Sequence, residues 1–169
     1  MTETPALPAD LPETTRAFWF DGRSGGSVRH DPLRPLGDGE IAVRTRWSAL
    51  SRGTEMLVFQ GRVPETQAAV MRCPLQEGAF PGPVKYGYMA VGEVVRGNRE
   101  IQDGQRVFAL APHQDWLLLP TDAAIPVPDD VPDERAVLAA NMETALNGVW
   151  DSGVGPGDRV AVVGAGVVG

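Results

Sequence analysis

Arg159-Val160-Ala161-Val162-Val163-Gly164-Ala165-Gly166-Val167-Val168-Gly169 is an apolar run that passes directly into a G-x-G-x-x-G motif. A run without polar alternation is what a parallel strand buried on both faces requires. In the motif, Gly164 allows a tight turn, Gly166 lets backbone N–H groups approach a pyrophosphate, and Gly169 permits close packing of a following helix on the strand. Alone, the motif fits a glycine-rich strand end equally well; the apolar run in front of it favours dinucleotide binding. The helix that would receive the phosphate, and the acidic residue roughly 20 positions on that would hold the ribose, fall beyond Gly169. The expectation is a fragment of a longer polypeptide that stops in mid-motif.

Upstream of this run, Ser152-Gly-Val-Gly-Pro-Gly breaks the chain, and a helix is predicted before it. Asp130-Val-Pro-Asp-Glu offers an N-cap, a first-turn proline and acids where the helix dipole favours them. Leu138, Met142, Ala145, Leu146 and Val149 then recur at helical spacing to about Trp150. Earlier still, 20 glycines and 15 prolines punctuate short apolar segments, which predicts β-rich structure. Strands are expected over 17–21, 40–49, 90–95, 106–111 and 116–119, a helical turn over 54–59 and a long surface loop over 63–83. In the second strand Ile41, Val43, Thr45 and Trp47 alternate with Arg44 and Arg46, as in a half-buried strand. Residues 1–15 lack periodicity and read as a mobile leader.

The 169 residues suit one ordinary domain, and 15 Lys and Arg against 22 Asp and Glu leave a net charge of −7. Bulk neutralisation of nucleic-acid phosphates is therefore excluded as an expectation. Cys73 is the single cysteine and has no internal partner. The first residues show no secretory pattern, and no apolar stretch reaches the roughly 18 residues of a membrane span, so a cytoplasmic, soluble chain is expected.

Three segments carry a resemblance. Gly157-Asp-Arg-Val leading into the glycine motif, Val91-Gly-Glu-Val-Val, and Arg52-Gly53-Thr54-Glu55 resemble corresponding segments of the medium-chain dehydrogenase/reductases, the family of alcohol dehydrogenases and zinc-free quinone reductases. The similarity spans about residues 17–169. It implies a β-rich, GroES-like, partly open barrel of α+β type, leading into the first strand of a truncated α/β Rossmann domain. The boundaries implied are a leader over 1–15, a GroES-like catalytic domain over 16–131, and a linking helix with the start of an incomplete dinucleotide-binding domain over 132–169. The implied activity is NAD- or NADP-dependent hydride transfer to or from a carbonyl, alcohol or activated alkene, on a small-molecule substrate. A homodimer through the Rossmann domain of the full-length protein is implied as well.

The same resemblance speaks against the family's catalytic zinc. Arg52 stands where the first cysteine ligand would be, and a guanidinium has no lone pair to offer a metal. Gly87-Tyr88-Met89 replaces the G-H-E triplet of the second ligand, and the third ligand maps near Ala140, beside Thr144-Ala145. A rearranged metal site using His113, Glu55 or Glu143 is the alternative within enzymes, and a non-catalytic GroES-like binding module the alternative outside them.

The candidate catalytic residues are Thr54, Tyr88, Arg52 and His113; the candidate cofactor-binding residues are Gly164, Gly166, Gly169, Thr144 and again Arg52. Each has a plainer reading. Thr54 relays a substrate proton by resemblance or else caps a helix. Arg52 attracts an anionic group or else pairs with Glu55 or Glu93. Tyr88 hydrogen-bonds a carbonyl or else packs beside Tyr86. His113 titrates or else is a solvated turn residue. Asn141 and Glu143 face the cofactor or else form the polar side of an amphipathic helix, and His30 is read as surface.

Overall fold

The computed structural model describes residues 11–164 and 166–169. Two antiparallel sheets form the body. β1 (Thr14–Phe20), β2 (Gly26–Pro32), β4 (Glu77–Gly78) and β5 (Val84–Lys85) make the smaller one, in the order β2-β1-β5-β4. β3 (Glu40–Ala49), β6 (Met89–Arg96), β7 (Arg106–Ala109), β8 (Trp116–Pro120) and β9 (Ile125–Pro126) make the larger, in the order β8-β3-β6-β7-β9. The helices are α1 (Thr54–Phe59), α2 (Asp133–Ala136) and α3 (Ala139–Ser152). The sheets are joined by the segment after β7 but do not close into a continuous barrel among the described residues.

β6 is buried along nearly its whole length because alternation gives it two covered faces. Ala90 and Val94 join Ile41, Val43, Val107, Leu117 and Leu119 in the main core. Met89 and Val91 point the other way, toward Phe108, Ala136 and Ala140, and bring α2 and the start of α3 onto the sheet. Asp133 fixes α2 there: its carboxylate accepts from Arg106 Nη1 at 2.8 Å and lies 3.0 Å from Arg46 Nε. A third core, of Phe20, Val58, Cys73, Val84 and Tyr86, packs α1 against the smaller sheet.

Several expectations are corrected. The strand expected from Ala17 starts three residues earlier, for Thr14 and Thr15, inside the expected 1–15 leader, pair with Pro32 and Asp31; residues 1–10 lie outside the described residues. β2, including the exposed His30, was not anticipated, because nearly all its residues are solvent-facing and leave no apolar signal. The 63–83 loop contains a short 3-10 turn and β4. Alternation along β3 is interrupted by irregular pairing at Ala42/Val43 and Thr45/Trp47, which leaves Trp47 49% exposed.

The single helix expected from Asp130 is two helices, since Leu138, at φ −89° and ψ 7°, leaves the helical path between them. α3 carries the anticipated stripe, yet Met142 is 68% and Val149 55% exposed, and only Ala140 of this helix is buried. Residues 159–163 pair with no strand among the described residues. The first Rossmann strand is therefore not formed here, for a parallel strand needs a neighbour to bond.

Candidate functional site

The backbone of residues 111–115 crosses from one sheet to the other, and this crossing sets the site. Phe18 N–H donates to the His113 carbonyl at 2.9 Å, and His113 N–H donates to the Tyr86 carbonyl at 3.2 Å. So close an approach needs glycine at position 87: a Cβ there would stand 2.6 Å from the Ala111 carbonyl oxygen and 2.7 Å from His113 N. Asp115 completes the clamp, accepting from Arg16 Nε at 2.8 Å and from the Thr15 hydroxyl at 2.7 Å. Burial works against the charged form of Asp115, but those hydrogen bonds prevail and hold its carboxyl below the ordinary value.

His113, held in this way, meets Glu55 from the first turn of α1. Glu55 is 3% exposed, and both carboxylate oxygens are engaged: Oε1 with His113 Nε2, and Oε2 with the Ser51 N–H. A carboxylate only accepts, so Nε2 carries a proton, and in the tautomer with its proton there Nδ1 is left to accept from Ser48. Ser48 Oγ lies 3.0 Å from it, near the end of β3. Three elements thus converge in a serine, histidine, glutamate chain.

That chain borders a cavity of about 630 Å³ whose wall includes Phe18, Phe20, Phe59 and Arg52. Phe18 and Phe20 stand edge to face at 5.0 Å between centroids, and Phe20 and Phe59 at 6.4 Å. The expected ion pairs of Arg52 are not made: Glu55 is turned inward to His113, and Glu93 lies near Arg44 and Arg46.

Thr54 and Tyr88 face a different hollow, of about 270 Å³, together with Cys73 and Tyr86. The four candidate catalytic residues are thus divided between two hollows. Thr54 is the first residue of α1 and does not cap it, the capping position being Gly53. Tyr88 both borders this hollow and packs against the core of Met89 and Val91. Burial pushes the Cys73 thiol up, and burial, reinforced by the neighbouring Cys73 and Glu55, pushes the Tyr86 phenol up; its hydroxyl donates to the Met71 carbonyl at 2.7 Å.

The candidate cofactor-binding residues, apart from Arg52, come together elsewhere. Thr144 of α3 borders one hollow of about 490 Å³ with Gly164, Gly166 and Gly169. Gly164 has φ +99°, a region L side chains avoid, so the turn requires its glycine. A Cβ on Gly169 would come within 2.9 Å of the Gly164 carbonyl oxygen, whereas one on Gly164 or Gly166 would meet open space. Thr144 Oγ donates back to the Ala140 carbonyl at 3.0 Å. On the same helix, Asn141 Oδ1 is buried without a hydrogen-bond partner among the described residues.

The rearranged metal set does not assemble. His113 and Glu55 meet, but Glu143 borders a separate hollow with Phe108 and Ala140. No group of three or more His, Cys, Asp or Glu placed to hold a metal ion occurs among the described residues. No helix among them is long and apolar enough to cross a membrane.

Sequence reasoning singled out His113 but missed Ser48, and treated Glu55 only as a metal ligand or a partner for Arg52. The signal that locates them is spatial, since His113 and Glu55 stand 58 residues apart.

No family model matches the chain. Solved structures match it by fold. Human synaptic vesicle membrane protein VAT-1 homolog-like protein is 19% identical with a TM-score of 0.64, the match covering 82% of this chain and 44% of that one. The 2R,3R-butanediol dehydrogenase of Bacillus subtilis is 16% identical with a TM-score of 0.67, covering 86% of this chain and 49% of that one. A short chain alcohol dehydrogenase of E. coli CFT073, complexed with its cofactor NADH, is 14% identical with a TM-score of 0.60, covering 80% of this chain and 45% of that one. The chain therefore spans less than half the length of these structures.

Proposed function

On a chain that has a medium-chain dehydrogenase/reductase fold, we propose the catalytic side of a nicotinamide-dependent oxidoreductase acting on a carbonyl, alcohol or activated alkene without the usual catalytic zinc. The observation that carries this reading is the hollow uniting Thr144 with Gly164, Gly166 and Gly169 at one end of that fold. The residues fit a dinucleotide phosphate in two respects: the positive φ of Gly164 and the open space beside Gly164 and Gly166. Gly164 and Gly166 would lie against the pyrophosphate, and Thr144 beside it. When bound, a nicotinamide supplies or takes up the hydride.

What the chain's own residues contribute is orientation, water exclusion and proton handling. The aromatic wall of the larger cavity shields a substrate from water, and polar donors at its end stabilise charge growing on a substrate oxygen. Thr54 and Tyr88 offer a second pair of hydroxyls at the neighbouring hollow. The zinc-free part of the reading is supported by chemistry at the ligand places, where Arg52, Tyr88 and Ala140 provide no set a zinc ion would bind.

The test starts with the intact mass of the natively expressed protein against 18.0 kDa for these residues. A mass near twice that value is expected, followed by tryptophan quenching on titration with NADPH or NADH. An intact longer chain that binds neither would overturn the proposal, and one tightly held zinc per chain after dialysis would overturn its zinc-free part.

A further inference from the structure

We infer that Ser48, His113 and Glu55 form a proton relay for the hydroxyl or carbonyl oxygen of a flat aromatic substrate seated in the 630 Å³ cavity. This rests on the oxidoreductase reading and adds to it the substrate class and the acid–base groups.

The cavity specifies the body of the ligand. Its size lies within the range of roughly 300–1,000 Å³ typical of small-molecule sites. Phe18 and Phe59, each edge to face with Phe20, present with it a wall on which an aromatic ring packs favourably. The polar groups gather at one end, where Ser48 is exposed and the histidine behind it is mostly covered. A ligand with an aromatic body therefore presents its oxygen to Ser48.

The hydrogen-bond directions specify the relay. Nε2–H of His113 points to Glu55, so the Ser48 hydroxyl donates to Nδ1 and keeps its lone pairs for the substrate. In the oxidative direction the substrate O–H bond breaks and its proton bonds to Ser48 Oγ, while the serine's own proton passes to Nδ1. The electron pair of the broken bond stays with the substrate oxygen, and the imidazolium lies against the Glu55 carboxylate. Carbonyl reduction runs the same transfers in reverse. The three residues move protons only.

Other titratable groups around the pair leave this route open. Cys73 and Tyr86 lie near Glu55, and burial keeps both protonated at neutral pH. Asp115, two residues from His113, is engaged by Arg16 and Thr15. Arg52 stands on the cavity wall and adds positive charge that favours an oxyanion.

The chain has two histidines, and His30 is exposed on β2, so histidine NMR reads the site directly. With 2-naphthalenemethanol as the probe and no cofactor present, the resonance lost in His113→Asn is expected to move while that of His30 stays. Ser48→Ala, a change at an exposed position, is expected to weaken probe binding about 2- to 10-fold, the worth of one hydrogen bond. In the full-length polypeptide, Glu55→Gln is expected to lower kcat on this alcohol about 100-fold or more. A His113 resonance unmoved by saturating probe, or a His113→Asn enzyme at the parental rate, overturns the relay. A probe that moves His113 in a full-length chain unable to bind NADPH or NADH upholds the cavity and its contact, and overturns the oxidoreductase reading instead.

Discussion

The junction around His113 and the segment from α3 to Gly169 both hold polar groups of interest, but they are held in opposite ways. At the junction, two sheets and α1 press on one histidine, its backbone bonds are made to both sides, and its carboxylate partner is buried. Along α3, Met142 and Val149 face solvent and only Ala140 is covered. The difference teaches that one site is built by packing complete within this chain, whereas the other borders a helix face that this chain leaves exposed. Substitutions should hurt the first severely and the second hardly at all.

The sharpest way to break that contrast is His113→Ala. Glu55 would remain buried opposite a void without its imidazole donor, and leaving a buried carboxylate uncompensated costs ~3–5 kcal/mol. Denaturant unfolding should show a loss of that size; a loss below about 1 kcal/mol would mean that Glu55 reaches water and the junction is looser than described. Gly87→Ala comes next. Its Cβ would press on the backbone of Ala111, Pro112 and His113, none of which is a movable side-chain end. Overpacking of this kind costs about 1–3 kcal/mol, and here the upper end is expected. Histidine NMR on this variant should also show the His113 environment disturbed.

A smaller effect is expected from Asp115, which ties β1 to the crossing segment. Its folded pKa lies below the unfolded value of about 3.9, so its stabilisation is fully present above that pH and is lost as pH falls through the lower, folded value. Asp115→Asn should therefore flatten the acid limb of stability below pH ~4. An unchanged acid limb would show that the contacts with Arg16 and Thr15 do not persist in solution.

How much of this was legible in the sequence follows the range of the interactions. α1 matches its expected bounds because Gly53 and the residues after it act locally, and β3 and β6 announce themselves through β-branched and apolar residues whose burial is large. β2 was silent, since an exposed edge strand needs no apolar face. In the glycine motif, Gly164 takes a positive φ, which glycine adopts without strain. The Ser48, His113 and Glu55 chain was not legible as a unit, because only tertiary closure brings β3, α1 and the crossing segment together. Gly87 was read as part of a motif replacing a metal ligand; its role in admitting the crossing backbone depends on a contact with residue 111 that no local pattern encodes.

The least disruptive test belongs to α3. Met142→Lys replaces a side chain that is 68% exposed and belongs to none of the buried cores, so it should change the stability of this chain by less than about 0.5 kcal/mol. Lysine also retains good helix propensity, which removes the backbone as a source of loss. The comparison sharpens when the same change is made in a longer polypeptide that carries this segment. If a further layer then covers the Met142, Leu146 and Val149 stripe, a buried ammonium must be desolvated and the loss rises to several kcal/mol. A negligible effect in both chains would mean that the stripe faces water in either context, and the hollow beside Thr144 would lack the packing it needs to hold a fixed shape.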